Sequence, residues 1–136
     1  MKRIGIVPPG KLFEDDILHH DLYSFANPYV QRIAAQNGTP LGILPVDGDA
    51  LPDTLAVCDG FLIAGGTKLW PYHLEVVEHA VVARKPLLGI CLGMQAIAAY
   101  FQVAVRMRAE GTGLSQTFDM MKKERFMFNL PVAGHY

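Results

Sequence analysis

Gly89-Ile90-Cys91-Leu92-Gly93 sets one reactive side chain between two glycines, where the hydrophobic pattern of the chain changes character. Before it, Pro86-Leu87-Leu88-Gly89-Ile90 is a short, nearly continuous apolar run, the pattern of a strand buried on both faces of a parallel sheet. After it, Met94 to Phe101 is rich in Ala and free of Gly and Pro, so it can propagate a helix. A cysteine on a strand-to-helix turn has the layout of a nucleophile elbow, with sulfur in place of the serine oxygen. The glycines are expected to supply φ values and close packing that a Cβ would obstruct. The free N–H groups at the start of the helix favour negative charge on the sulfur.

Outward from the elbow, strand-like and helix-like stretches alternate. Lys2 to Val7 reads as a first strand, and Asn27-Pro28 opens a helix through Tyr29, Val30, Ile33 and Ala34 that stops at Asn37-Gly38. Leu41 to Pro45 reads as a second strand closed by the turn signal Asp47-Gly48-Asp49, and Gly60 to Ala64 as a third ending at Gly65-Gly66. Leu74 to Ala83 reads as a helix, with Glu75 and Glu78 near its start and Arg84-Lys85 at its end to match the dipole. Pro86 to Ile90 is the fourth strand. This alternation predicts an α/β fold: a mostly parallel, flavodoxin-like sheet in a three-layer sandwich. Pro8-Pro9-Gly10, Asp47-Gly48, Gly65-Gly66 and Cys91 all fall at strand ends and are expected to gather on one edge of the sheet. Val103 to Arg108, where Arg106 and Arg108 alternate with apolar neighbours, reads as a further strand. From Gly111 to Tyr136 a Met/Phe-rich stretch with turn residues reads as edge hairpins or a tail that contributes to the core.

The bulk properties narrow the function. A chain of 136 residues fits one domain, 1–136, with a real core. Half of it is hydrophobic, yet no apolar run approaches the roughly 18 residues of a membrane span. The net charge of −1, with both signs interspersed, steers it toward neither nucleic acid nor anionic membrane. Cys58 and Cys91 sit in unlike contexts, which argues against a disulfide and for a reducing cytoplasm. His19 and His20 are adjacent, and His73 and His79 are six apart, so neither pair has helical metal-ligand spacing. No metal and no cofactor is expected.

With the elbow placed, Lys85 to Gln95 resembles the nucleophile motif of class I glutamine amidotransferases. Tyr29-Val30, Gly38-Thr39-Pro40 and Leu44-Pro45 resemble the gamma-glutamyl hydrolase-like branch of that superfamily, and Asp59 to Gly66 resembles its Gly-Gly strand. The resemblance runs from about Ile4 to Phe101. It implies hydrolysis of a gamma-glutamyl amide, glutamine or a related compound, with Cys91 as nucleophile and a thioester intermediate. It also implies an oxyanion hole from the N–H groups of Gly66 and Leu92, and substrate contacts at Gly65 and Gln95. Gln95 reads equally as a helix-face residue bonded to a neighbouring loop, and Cys58 as ordinary packing. Lys68, Trp70, Tyr72 and His73 follow the Gly-Gly turn, as an aromatic wall of the site or as packing over the sheet edge. His19, His20 and Tyr23 lie in the first loop, which the resemblance brings near the pocket, though they read rather as solvated loop residues.

The family's base is a histidine two residues before a glutamate, and no His-x-Glu occurs in this sequence; His135 has no acid after it. The expectation is a domain truncated at its C-terminus, inactive or impaired. Its uncovered apolar surface would be shielded by the Met/Phe-rich tail or by a second copy in a homo-oligomer. A synthase partner that uses the released ammonia is a further implication. The alternatives are a glutamyl-binding or oligomerising pseudoenzyme, or a different cysteine hydrolase in which His73 or His135 serves as base.

Overall fold

The computed structural model describes residues 1–10 and 17–111. Strand β1 (Arg3–Val7) is followed by a single 3-10 turn (Leu18–His20), helix α1 (Asn27–Ala35) and strand β2 (Thr39–Gly42). Then come α2 (Pro52–Ala56), β3 (Gly60–Ile63), α3 (Pro71–Ala83), β4 (Leu87–Gly89) and α4 (Leu92–Glu110). The four strands form one all-parallel sheet in the order β2-β1-β3-β4. This is the α/β, flavodoxin-like arrangement expected from the alternation.

Side chains alternate across the sheet, and the two faces are covered differently. Val7, Phe61, Ile63 and Leu87 share a core with Leu55 of α2, Leu74, Val77 and Ala80 of α3, and Leu92, Ala96, Ala99 and Val103 of α4. Cys58 belongs to this face: a Cβ on Gly5 would meet its Sγ at 2.9 Å, and its thiol donates to the carbonyl of Thr54. Burial pushes the Cys58 thiol up, consistent with a packing role. On the opposite face, Ile4, Leu62 and Leu88 and the α1 side chains Tyr29 and Ile33 line an open apolar groove of about 750 Å3. The two expected covers, residues 112–136 and a second copy, lie outside the described residues of this single chain.

Several local expectations change. The strand expected over Val103 to Arg108 is the last part of α4. Ala96, Ala99, Tyr100 and Val103 are buried at helical spacing, and that period overrides the short alternation around Arg106 and Arg108. Helix α3 begins at Pro71, earlier than expected, because Pro suits the first helical turn. Its first turn therefore contains no acidic residue, and the dipole role assigned to Glu75 and Glu78 is overturned. Instead Glu75 Oε1 accepts the N–H of Ala50 at 3.0 Å, and Glu78 Oε1 accepts the hydroxyl of Tyr100 at 2.8 Å, joining α3 to α4. Lys85 Nζ donates to the carbonyls of Leu55 and Ala56 at the end of α2, while its backbone N–H closes α3 on Ala80 O at 2.9 Å. Helix α2 itself is too short to show a period in the sequence. Strand β2 ends at Gly42, short of the expected Pro45.

Candidate active site

Cys91 lies directly between β4 and α4 with φ 55°, in the left-handed region. A non-glycine residue there carries on the order of 1–2 kcal/mol of backbone strain. The expected division of labour is thus reversed. The positive φ belongs to the cysteine, while Gly89 and Gly93 supply close approach. A Cβ on Gly89 would collide with the backbone of Gly93, and one on Gly93 would lie 2.5 Å from the carbonyl oxygen of Ile63. The turn is held by Ile90 N–H on Ile63 O, Gly93 N–H on Ile90 O, and Gln95 N–H on Cys91 O.

The expected gathering of strand ends is present for Pro8-Pro9, Gly65-Gly66 and Cys91, while Gly48 O accepts the N–H of Tyr72 at the start of α3. β1, β3 and β4 are consecutive in the sheet, so the segments after them meet at its carboxyl edge. A Cβ on Gly66 would lie 2.6 Å from Pro9 Cβ and 2.8 Å from Leu92 Cδ2, so only a glycine backbone fits between the β1 loop and the start of α4. A Cβ on Gly65 would instead stand in ordinary contact with Cys91 Cβ (3.7 Å), the Ile90 carbonyl (3.9 Å) and the Tyr29 hydroxyl (4.0 Å). Gly65, Gly66, Cys91 and Leu92 are therefore brought together. Leu92 is the first residue of α4, so its N–H has no acceptor within the helix. Gln95 is partly exposed and stands one turn further on.

Sequence reasoning missed what holds this edge in place. Tyr72 and His73, both fully buried at the start of α3, converge on one carbonyl: the Tyr72 hydroxyl donates to Pro8 O at 3.0 Å, and His73 Nε2 reaches it at 3.0 Å. His73 Nδ1 accepts the N–H of Trp70 at 2.9 Å, so the ring proton sits on Nε2, and that nitrogen is the donor to Pro8. Burial pushes His73 down to about 4 and raises the Tyr72 phenol. His73 is thus a neutral structural group, and the reading in which it folds back as base is overturned. Packing of Tyr72 and His73 over the sheet edge was one of the two sequence readings; their shared bond to Pro8 had no signal beyond Pro8-Pro9-Gly10 at the end of a strand.

The aromatics of this edge pack on neighbouring groups. Trp70 lies against Gly10, whose φ is 120°, with Lys68 Nζ 4.5 Å from the centre of its ring. Tyr23 is not the solvated loop residue expected: it packs partly buried against the core and meets Tyr72 edge-on, ring centres 6.2 Å apart. His79 bonds Lys85 Nζ at 3.0 Å and stacks edge-on against Phe61, held by the residue that leads into β4 rather than by the turn that leaves it. His135 lies outside the described residues. Among the described residues no group of three or more His, Cys, Asp or Glu side chains is placed to hold a metal ion, and no helix is long and apolar enough to cross a membrane.

The family model "Glutamine amidotransferase class-I" matches residues 18–132. The chain is 33% identical over 103 residues to a CTP synthase of Chlamydia muridarum, covering 73% of this chain and 18% of the relative. It is 37% identical over 107 residues to a CTP synthase of Protochlamydia amoebophila (72% and 19%) and 33% identical over 99 residues to one of Helicobacter hepaticus (69% and 18%). It therefore spans less than a fifth of the length of these curated relatives. No solved structure gives a significant match. With a cysteine elbow, a Gly-Gly strand end beside it and a family match over most of its length, the chain belongs to the class I glutamine amidotransferase family.

Proposed function

We propose that this chain is the glutamine-hydrolysing unit of an amidotransferase. The observation that carries the reading is Cys91 at φ 55°, immediately before α4, with Gly65 and Gly66 packed beside it. Cys91 Sγ attacks the amide carbonyl carbon of glutamine; as the C–N bond breaks, the proton given up by the thiol passes to the nitrogen and ammonia leaves. Water then cleaves the thioester, giving glutamate and restoring the thiol. The N–H groups of Leu92 and Gly66 receive the carbonyl oxygen as it becomes negative, where losing one donor costs on the order of 3 kcal/mol. Gln95 borders the glutamyl group, and Gly65 the scissile amide.

The matched relatives are CTP synthases, which favours glutamine over the larger amides of the gamma-glutamyl hydrolase-like reading. A synthase unit outside this chain would receive the ammonia. Proton transfer is the weak point: His73 is committed to Pro8 and Trp70, and His79 to Lys85. Turnover by this chain alone is accordingly expected to be very slow. The pseudoenzyme reading shares the pocket and differs only in turnover.

Alkylation of Cys91 by iodoacetamide near neutral pH, followed by peptide mass spectrometry, tests the site. The expected result is rapid labelling slowed by glutamine. Labelling at the rate of an ordinary thiol, indifferent to glutamine, would refute the reading.

A further inference from the structure

Tyr29 stands on the first turn of α1, and its ring forms part of the wall of the groove between α1 and the sheet. The ring is held there, yet its hydroxyl reaches the elbow. The position of a Cβ on Gly65 is 4.0 Å from Tyr29 Oη and 3.7 Å from Cys91 Cβ. The phenol and the nucleophile thus border one small space, which exists because residue 65 has no side chain. Among the described residues the hydroxyl makes no hydrogen bond, and it is not sealed from solvent.

The other flank of the elbow is occupied differently. Gly66 packs on Leu92 and Pro9, and the two N–H groups assigned above to the oxyanion belong to Gly66 and Leu92. The oxygen, nitrogen and side-chain carbon of a planar amide lie about 120° apart around the carbonyl carbon. With the oxygen turned to the Gly66–Leu92 flank and the glutamyl chain running past Gln95, the nitrogen is left facing Gly65 and Tyr29.

We propose that Tyr29 is a substrate-positioning residue whose hydroxyl oxygen accepts a hydrogen bond from the N–H of the scissile amide, favouring a carboxamide over isosteres without that N–H. The inference rests on the amidohydrolase reading above. A site built around a substrate N–H discriminates against analogues lacking it, because its polar partner is then left unmatched.

The test measures how well two ligands slow iodoacetamide labelling of Cys91: glutamine, and its methyl-ketone isostere 2-amino-5-oxohexanoate, in which CH3 replaces NH2. In Tyr29→Phe, which keeps the ring in the groove, the half-protecting concentration of glutamine should rise about 3- to 10-fold, the worth of one hydrogen bond. That of the ketone, and the unprotected labelling rate, should not change. Unaltered glutamine protection in the variant, or equal weakening of both ligands, would overturn the role of Tyr29 while leaving the amidohydrolase reading standing. If glutamine fails to protect the wild-type chain, that reading falls and this inference falls with it.

Discussion

His73 Nε2 donates to the carbonyl oxygen of Pro8 at 3.0 Å, while its Nδ1 accepts from Trp70, so one neutral ring joins the β1 loop to the start of α3. Pro8 is followed by Pro9, the residue that closes on Gly66. The histidine does no chemistry, but it fixes the loop against which the candidate oxyanion backbone rests.

This linkage makes stability depend on pH with a defined sign. His73 titrates near 4 in the fold and near its ordinary 6.5 when unfolded. Above 6.5 it is neutral in both states; as pH falls from 6.5 to 4 the unfolded chain binds the proton that the fold refuses. Stability on the order of 3 kcal/mol is lost across that window. Urea titrations at pH 7.5 and 4.5 should show this loss in the wild type and a smaller one in His73→Leu. The variant should also be weaker at pH 7.5 by about 2–3 kcal/mol, since the Trp70 N–H loses its acceptor. Equal pH dependence in the two proteins would contradict the account.

Gly65 and Gly66 should respond oppositely to one methyl group. Gly66→Ala drives a Cβ into Pro9 and Leu92 and should cost about 1–3 kcal/mol in thermal or urea unfolding. Gly65→Ala meets only ordinary contacts and should fold normally, while its methyl intrudes between Tyr29 and Cys91 and weakens glutamine protection of the thiol.

The strain at Cys91 is measurable without any substrate. Cys91→Gly accepts φ 55° freely, whereas Cys91→Ala does not. The glycine variant should be more stable than the alanine variant, by up to about 1 kcal/mol. Reversal of that order would mean that the turn relaxes when the sulfur is removed.

Tyr100 joins α4 to α3 through Glu78, a bond that, after burial, helps push its phenol up to about 12. Tyr100→Phe keeps the ring and loses the bond. The expected cost is about 1 kcal/mol, read from the shift of the urea midpoint at constant slope.

The architecture was legible because its signals are local. Short apolar runs, the proline and asparagine that bracket α1, and the glycines around Cys91 each announce a strand, a helix end or a turn. The remainder depended on partners distant in sequence. Glu75 looked like a helix-start charge, and only the fold reveals its bond to Ala50. Val103 looked like part of a strand until its burial beside Ala99 and Ala96 set the period. In the site, Cys91 and its glycines were visible as a motif. Pro9 was visible as part of a strand-end turn expected on the same edge; Tyr29 was not visible as a site residue, since nothing in its own neighbourhood says that α1 closes on the elbow.

The most direct measurement is peptide mass spectrometry after exposure to a chloroketone analogue of glutamine, which bears the amino-acid head and places an electrophilic carbon near the position of the γ-amide. The account predicts a single adduct on Cys91, none on the buried Cys58, and loss of the adduct when excess glutamine is present. Modification of Cys91 that glutamine does not suppress, or no adduct at concentrations where a simple thiol reacts, would contradict it.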